Sequence, residues 1–329
     1  MKRIQKANLY FLLILIYEIV GSIILGIGFR ILNISDIRII LLVTHTVVFI
    51  IPGIIYLIVS KRPIKETLRL NKLNKKSLGI VILISFLIQP VMSFLSLIST
   101  FFFNNDIAEM INEISSTNYF ALLLLIAVLP AISEELTIRG IILSGYDKKN
   151  KYIASIVTGL FFGIFHLNPQ QFLYTFALGF ILALVVRITN SIFASVIMHF
   201  IINGTSVTLT KIVYLVQNSS IIEEIQKGQE YNMINTSVFD KLIVAFYWAA
   251  IAIAFGFIVY SLIKKLEKAN SNVKNDYKSK NNYNYQLQGN YNLEAYRTDY
   301  LEIEKEERIV NVPFILSILV FIIYMILFA

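Results

Sequence analysis

Residues 119–146 read YFALLLLIAVLPAISEELTIRGIILSGY. The stretch is long and apolar enough to cross a bilayer, because about 20 residues rising about 1.5 Å each span the roughly 30 Å hydrocarbon core. Its centre nevertheless holds Glu134, Glu135 and Arg139. On insertion scales each such ionisable group costs about 2.5–3.5 kcal/mol in a membrane helix, so the cluster calls for partners or a function. The apolar run resumes through Gly140, Ile141, Ile142 and Leu143, which puts the charges below the interface rather than on it.

Working outward, eight further runs of comparable character appear. They cover Leu9–Gly28, Ile39–Ser60, Leu78–Phe103, Tyr152–His166, Phe172–Arg187, Ile192–Val216, Leu242–Ile263 and Val312–Ala329. The expected fold is therefore all-α, a polytopic membrane helix bundle with an eight-helix body at 1–263 and an appended C-terminal transmembrane helix at 312–329. Between them lies a polar cytoplasmic linker at 264–311, rich in Asn, Tyr, Lys and Glu and too poor in apolar residues to form a core. Lys2, Arg3 and Lys6 before the first run imitate a signal peptide. That run is long, carries Glu18 and lacks an A-x-A site, so it is read as retained.

Composition supports this class. The 329 residues are 57% apolar and only 15% charged, where soluble domains carry about a quarter charged residues. The net charge of +8 then records basic loops rather than a nucleic-acid surface, and no nucleic-acid partner is expected. With no cysteine in the chain, disulfides, thiolate metal sites and cysteine nucleophiles are all excluded. The abundance of Ile, Asn and Lys has a bacterial look.

Loop charge sets an expected orientation, since Lys and Arg in short loops resist translocation. Residues 61–76 hold seven bases and one acid, whereas 104–118 hold Asp106, Glu109 and Glu113 with no base. Lys148, Lys149 and Lys151, then Arg187, then Lys264, Lys265 and Lys268 fall on the turns that strict alternation makes internal. A cell-membrane protein with a cytoplasmic N-terminus follows. Residues 63–78 read either as an amphipathic helix lying on anionic lipid or as a solvated basic loop.

Within the fourth run, Glu135 and Arg139 are four apart and share a helix face, while Glu134 points about 100° away. One carboxylate is thus neutralised and the other left free. All three histidines of the chain, His45, His166 and His199, fall inside expected helices. His45 is read as a packing residue. His166 closes Phe162-Gly163-Ile164-Phe165-His166 just before Asn168-Pro169, and His199 stands four residues before Asn203. A free carboxylate and imidazoles can take a proton from water, and an imidazole with a carboxamide can hold an oxyanion. Peptide-bond hydrolysis inside the bilayer fits that set. A proton-coupled relay and a silent peptide-binding protein use the same residues and stay open.

The sequence lacks the marks of other intramembrane protease designs. No H-E-x-x-H and no G-x-G-D occurs, and Gly204-Thr205-Ser206 is only a three-residue match to the G-x-S of rhomboid proteases. Three blocks in order, Glu134-Glu135 with Arg139, Phe162 with His166, and His199 with Asn203, instead resemble the CPBP family of intramembrane proteases. That family includes type II CAAX prenyl endopeptidases and bacterial relatives tied to bacteriocin processing or self-immunity. The resemblance covers a core at about 119–203. It implies that Glu134 and His166 activate water, that His199 and Asn203 stabilise the oxyanion, and that Glu135, Arg139 and Phe162 support the site. It implies as partners the lipid bilayer and a membrane-associated or lipidated peptide. It also leaves room for one zinc ion, held by Glu134, His166 and His199.

One geometric expectation follows from helix length. His166 lies about 21 Å along a fifth helix that starts at the cytoplasmic side, while Glu134 lies near mid-membrane. The turn Asn168-Pro169-Gln170-Gln171 is therefore expected to stop inside the membrane against a wet cavity, or the fifth helix to tilt steeply.

Overall fold

The computed structural model describes residues 2–104, 114–217, 237–271 and 307–328. Among them are nine principal helices, numbered here α1 Arg3–Ile31, α2 Ile37–Ser60, α3 Lys75–Thr100, α4 Tyr119–Ile142, α5 Lys151–Phe165, α6 Pro169–Thr189, α7 Ile192–Gln217, α8 Val238–Ala269 and α9 Val312–Phe328. Seven are long and apolar enough to cross a membrane; α5 and α9 are shorter. The chain is a multi-pass helical bundle, as its hydropathy requires: in hydrocarbon a helix satisfies its own backbone groups. Asp106, Glu109, Glu113 and most of the polar linker lie outside the described residues.

Several helices start where an asparagine closes the first turn. Asn74, Asn118, Asn150 and Asn168 each accept from a backbone N–H two or three residues on, which satisfies donors that the helix cannot. Prolines shape the interiors. Pro52 follows a π-helical segment at Thr46–Ile50, Pro130 follows another at Leu123–Val128, and Pro90 follows the break at Ile88. A ring without N–H frees the carbonyl four residues back, and a widened turn accommodates the loss. A third π segment, Leu136–Ile142, contains no proline and starts directly after the paired glutamates.

Two apolar cores flank the middle of the bundle. One joins α1, α2, α4 and α5 around Phe11, Ile138, Phe161 and Phe162; the other joins α3, α6, α7 and α8 around Ile84, Leu182, Val185 and Met198. The α5–α6 hairpin ties them together at a glycine contact. A Cβ on Gly159 would stand 2.7 Å from Phe180 N, and one on Gly179 would stand 2.9 Å from Gly159 Cα, so the two backbones touch. α9 packs beside α1 and the α5–α6 hairpin: Phe314 lies tilted against Phe161 at 5.6 Å, Phe321 stacks on Phe172 at 5.4 Å, and Asn8 Nδ2 donates to Ile309 O and Asn311 Oδ1 at 3.0 Å.

The basic connection between α2 and α3 keeps its lysines exposed but anchors its middle to the bundle. It forms a single turn at Ile64–Thr67 and then docks on the end of the bundle, with Thr67, Leu68 and Arg69 all buried. Arg69 donates to Arg139 O at 2.9 Å and pairs with Asp147, which Arg187 also grips at 3.0 Å. Asn71 Nδ2 donates to Asn190 O at 2.8 Å, and Ile192 N to Arg69 O at 3.1 Å. The sequence reading missed this because the partners are carbonyls of distant turns. At the same end Lys151 pairs with Glu267, and Tyr146 bonds Asn8. The basic turns expected on one side of the membrane thus meet at one end of the molecule.

Candidate active site

The site is built on α4, α5 and α7. Glu134 and Glu135 end the helical turn Leu129–Glu135 that follows Pro130, and both are buried, Glu135 and Arg139 completely. Arg139 Nη1 donates to Glu135 Oε1 at 2.8 Å, the expected four-residue pair. The same oxygen accepts from His199 Nδ1 at 2.9 Å. Arg139 Nη2 reaches Gly179 O at 3.4 Å, and its guanidinium lies over the Phe162 ring, 4.2 Å from the centroid. A buried charge of this kind persists only when paired and bonded, and here four elements share the task.

Phe162 is the hub of the arrangement. Its ring meets the edge of His166 at 4.7 Å and of His199 at 5.9 Å, both nearly perpendicular. Its carbonyl accepts from His166 Nδ1 at 2.8 Å, which leaves Nε2 of His166 as the acceptor nitrogen. Leu167, with φ of 47°, takes the left-handed conformation that turns the chain from α5 into Asn168 and Pro169. The 15 residues of α5 rise only about 22 Å, short of the bilayer core, and the turn that follows presents Gln170 and Gln171 to the cavity containing Glu134. Gln170 and Gln171 of the turn therefore line the cavity that Glu134 also lines, and the helix before them is short.

That cavity holds about 660 Å³ and is lined by Glu134, His166, His199 and Asn203 together. Glu134 Oε2 has no hydrogen-bond partner among the described residues and lies 4.0 Å from His199 Nε2, too far for a direct bond. Asn203 Nδ2 donates to Ile126 O at 3.0 Å. Ile126 stands four residues before Pro130, so Asn203 satisfies the carbonyl that proline cannot, and still has a second N–H.

The lining also contains residues that the motifs did not indicate. His45 opens on the same cavity, stacked on Phe49 at 5.2 Å and 3.5 Å from Ser133 Oγ. Gln89, Ser93, Ser96 and Thr100 of α3, Gln170, Tyr174 and Thr175 of α6, and Trp248 of α8 complete the polar side. The spacing of the α3 residues, one helical face within an apolar run, was the signal available in the sequence.

Residues 116–205 match the family described as Type II CAAX prenyl endopeptidase Rce1-like. This match supports an intramembrane protease acting on a membrane-embedded peptide. No curated protein and no solved structure matches the chain significantly. The matched segment holds α4 to the first half of α7, hence all the motif residues, while α1 to α3, α8 and α9 lie outside it.

The metal that such sites can bind finds no ready seat here. Ligands of a tetrahedral zinc ion stand about 3.4 Å apart, given bonds of about 2.0–2.1 Å. Glu134 and His199 present their nearest atoms at 4.0 Å, and no three His, Asp or Glu side chains among the described residues are grouped to hold an ion.

Proposed function

We propose that the chain is an endopeptidase that hydrolyses a peptide bond of a membrane-associated segment, with water activated by Glu134 and His166 and the oxyanion held by His199 and Asn203. The observation that carries this is the convergence of those four side chains on one cavity, where Glu134 is bound by no side chain at its buried Oε2 among the described residues. Glu134 and His199 line the cavity side by side, 4.0 Å apart at Oε2 and Nε2, and a water held there by the Glu134 carboxylate is the nucleophile. Glu134 takes its proton as the oxygen attacks the carbonyl carbon. His166 Nε2, bare because Nδ1 is engaged, helps to hold that water. The carbonyl oxygen becomes the oxyanion, received by the free Asn203 N–H and by the His199 imidazole. The C–N bond breaks as the amine takes the proton back from Glu134. Glu135, Arg139 and Phe162 position the imidazoles without touching the reacting atoms.

A relay carrier would want titratable groups at successive depths. The histidines and Glu134 instead open on one cavity, which favours a single reaction centre. Positive loops gathered at one end favour a cytoplasmic N-terminus. The decisive experiment compares membrane peptides in cells expressing the intact protein and the Glu134→Gln variant. Peptides shortened only with the intact protein are expected; identical peptide profiles would overturn the reading. In purified form a chelator should leave the rate unchanged.

A further inference from the structure

The connection between α2 and α3 ties together the two helices that carry the buried charges of the site. It leaves α2 at Ser60 and enters α3 at Lys75. Arg69, in the left-handed conformation with φ of 49°, donates to the Arg139 carbonyl of α4 at 2.9 Å, and its own carbonyl accepts from the N–H of Ile192, which opens α7, at 3.1 Å. Leu68 lies so close to α4 that a Cβ on Gly140 would stand 2.5 Å from Leu68 Cδ2. Asn71 holds the turn before α7: its Nδ2 donates to Asn190 O, and its carbonyl accepts from Ser191 Oγ at 2.5 Å. Arg139, and His199 about two turns into α7, meet on Glu135 Oε1. The connection thus brackets the crossing of α4 and α7 on which that shared acceptor depends.

The outer side of the same segment is of another kind. Lys61, Lys65, Lys72, Lys75 and Lys76 are exposed, Glu66 is the only acid between 61 and 76, and Ile64 and Leu70 stand among them 53% and 37% exposed. We propose that this surface docks anionic phospholipid headgroups, and that docking holds α4 and α7 at the spacing the Glu135–His199 bond needs. The segment joins two membrane-spanning helices, which sets it at headgroup level. Lysines at that level attract anionic lipid, and apolar side chains between them enter the acyl boundary. A soluble acidic protein would pair the lysines and leave Ile64 and Leu70 without a partner. Because the contacts to α4 and α7 already order the segment, docking costs little further chain entropy. The segment lies outside the residues that match the protease family. Only the consequence for turnover rests on the protease reading.

The test places the full-length protein in vesicles of phosphatidylcholine, alone or with about one-third phosphatidylglycerol, and follows amide hydrogen exchange in segments 66–72 and 188–193, which hold the Arg69 and Ile192 contacts. Phosphatidylglycerol is expected to slow exchange in both segments about tenfold, well within the attraction that several lysines near an anionic surface supply. Replacing Lys65, Lys72, Lys75 and Lys76 together by Gln should abolish that protection and leave exchange in pure phosphatidylcholine unchanged, since all four side chains are exposed. Replacing Lys264, Lys265 and Lys268 at the end of α8 by Gln should keep it. Equal exchange in the two lipids, protection that survives the four substitutions, or protection lost equally in the α8 variant overturns the proposal. So does matching protection in phosphatidylcholine by inorganic phosphate or by soluble polyglutamate, which would assign the surface to a free anion or to an acidic protein. Protection by lipid alongside identical membrane-peptide profiles in cells with the intact and Glu134→Gln proteins would leave the docking surface standing and sink the protease reading.

Discussion

The two walls of the central cavity are built on opposite principles. On the α4, α5 and α7 side, charged and aromatic groups are buried and interlocked: Glu135 Oε1 accepts from both Arg139 and His199, and Phe162 touches Arg139 and both histidines. On the α3 side, hydroxyls and carboxamides are neutral, partly unengaged and open to the cavity. Fixed geometry suits a group that must meet one reacting atom, because a misplaced donor loses most of its value.

The largest expected effect alters Glu134, the proposed base, whose Oε2 has no hydrogen-bond partner among the described residues. Glu134→Gln keeps the shape and should cut kcat by about a hundred- to ten-thousand-fold, as loss of a general base does, with no change in thermal stability. Unimpaired turnover in this variant would erase the functional contrast between the walls. Arg139→Ala should act the other way, mainly on stability. It strands the carboxylate of Glu135 in the core, and breaking a fully buried pair costs about 3–5 kcal/mol. Thermal unfolding in detergent reads this; an unshifted transition would show that the pair is not held out of water.

Asn203 belongs to both principles, which makes it separable. Asn203→Ala should lower kcat by about a hundred- to a thousand-fold if its free N–H meets the oxyanion. It should also cost about 1–3 kcal/mol of stability, because the Ile126 carbonyl loses its donor. Pro130→Ala returns a backbone N–H to that stretch of α4. In the double variant stability should recover and kcat should not; joint recovery would reduce Asn203 to a structural brace.

These contrasts show what a sequence can and cannot carry. The spacings Glu135 to Arg139, Phe162 to His166 and His199 to Asn203 were legible because residues four apart on a helix share a face, whatever the fold. That Glu135 also bonds His199 was not, since it depends on how α4 and α7 cross. His45 read as packing for the same reason: a lone imidazole carries no information about what lies opposite. Residues 61–76 looked solvated because charge in a loop says nothing of carbonyls waiting at distant helix ends, such as the Arg139 carbonyl that Arg69 reaches. The polar face of α3 was written in the spacing of Gln89, Ser93 and Ser96, yet serine in a membrane helix often bonds only its own backbone, as Ser85 and Ser99 do here.

The smallest expected effect tests what holds the interlocked wall in register. Phe162 and His166 reach the site only because α5 lies directly against α6, and that approach is set by two glycines. A methyl group on Gly159 would meet Phe180 N at 2.7 Å and Phe176 O at 2.9 Å, both backbone atoms that cannot rotate away. The helices must then part. Gly159→Ala should cost about 1–3 kcal/mol, the range for overpacking, and should lower kcat further by shifting Phe162 from beneath Arg139. Gly256 in α8 has nothing within 4 Å of its added methyl, so Gly256→Ala should be neutral or slightly stabilising through helix propensity. Equal behaviour of the two variants would mean that the α5–α6 contact yields freely, and that the rigidity ascribed to this wall comes from the Glu135, Arg139 and His199 bonds alone.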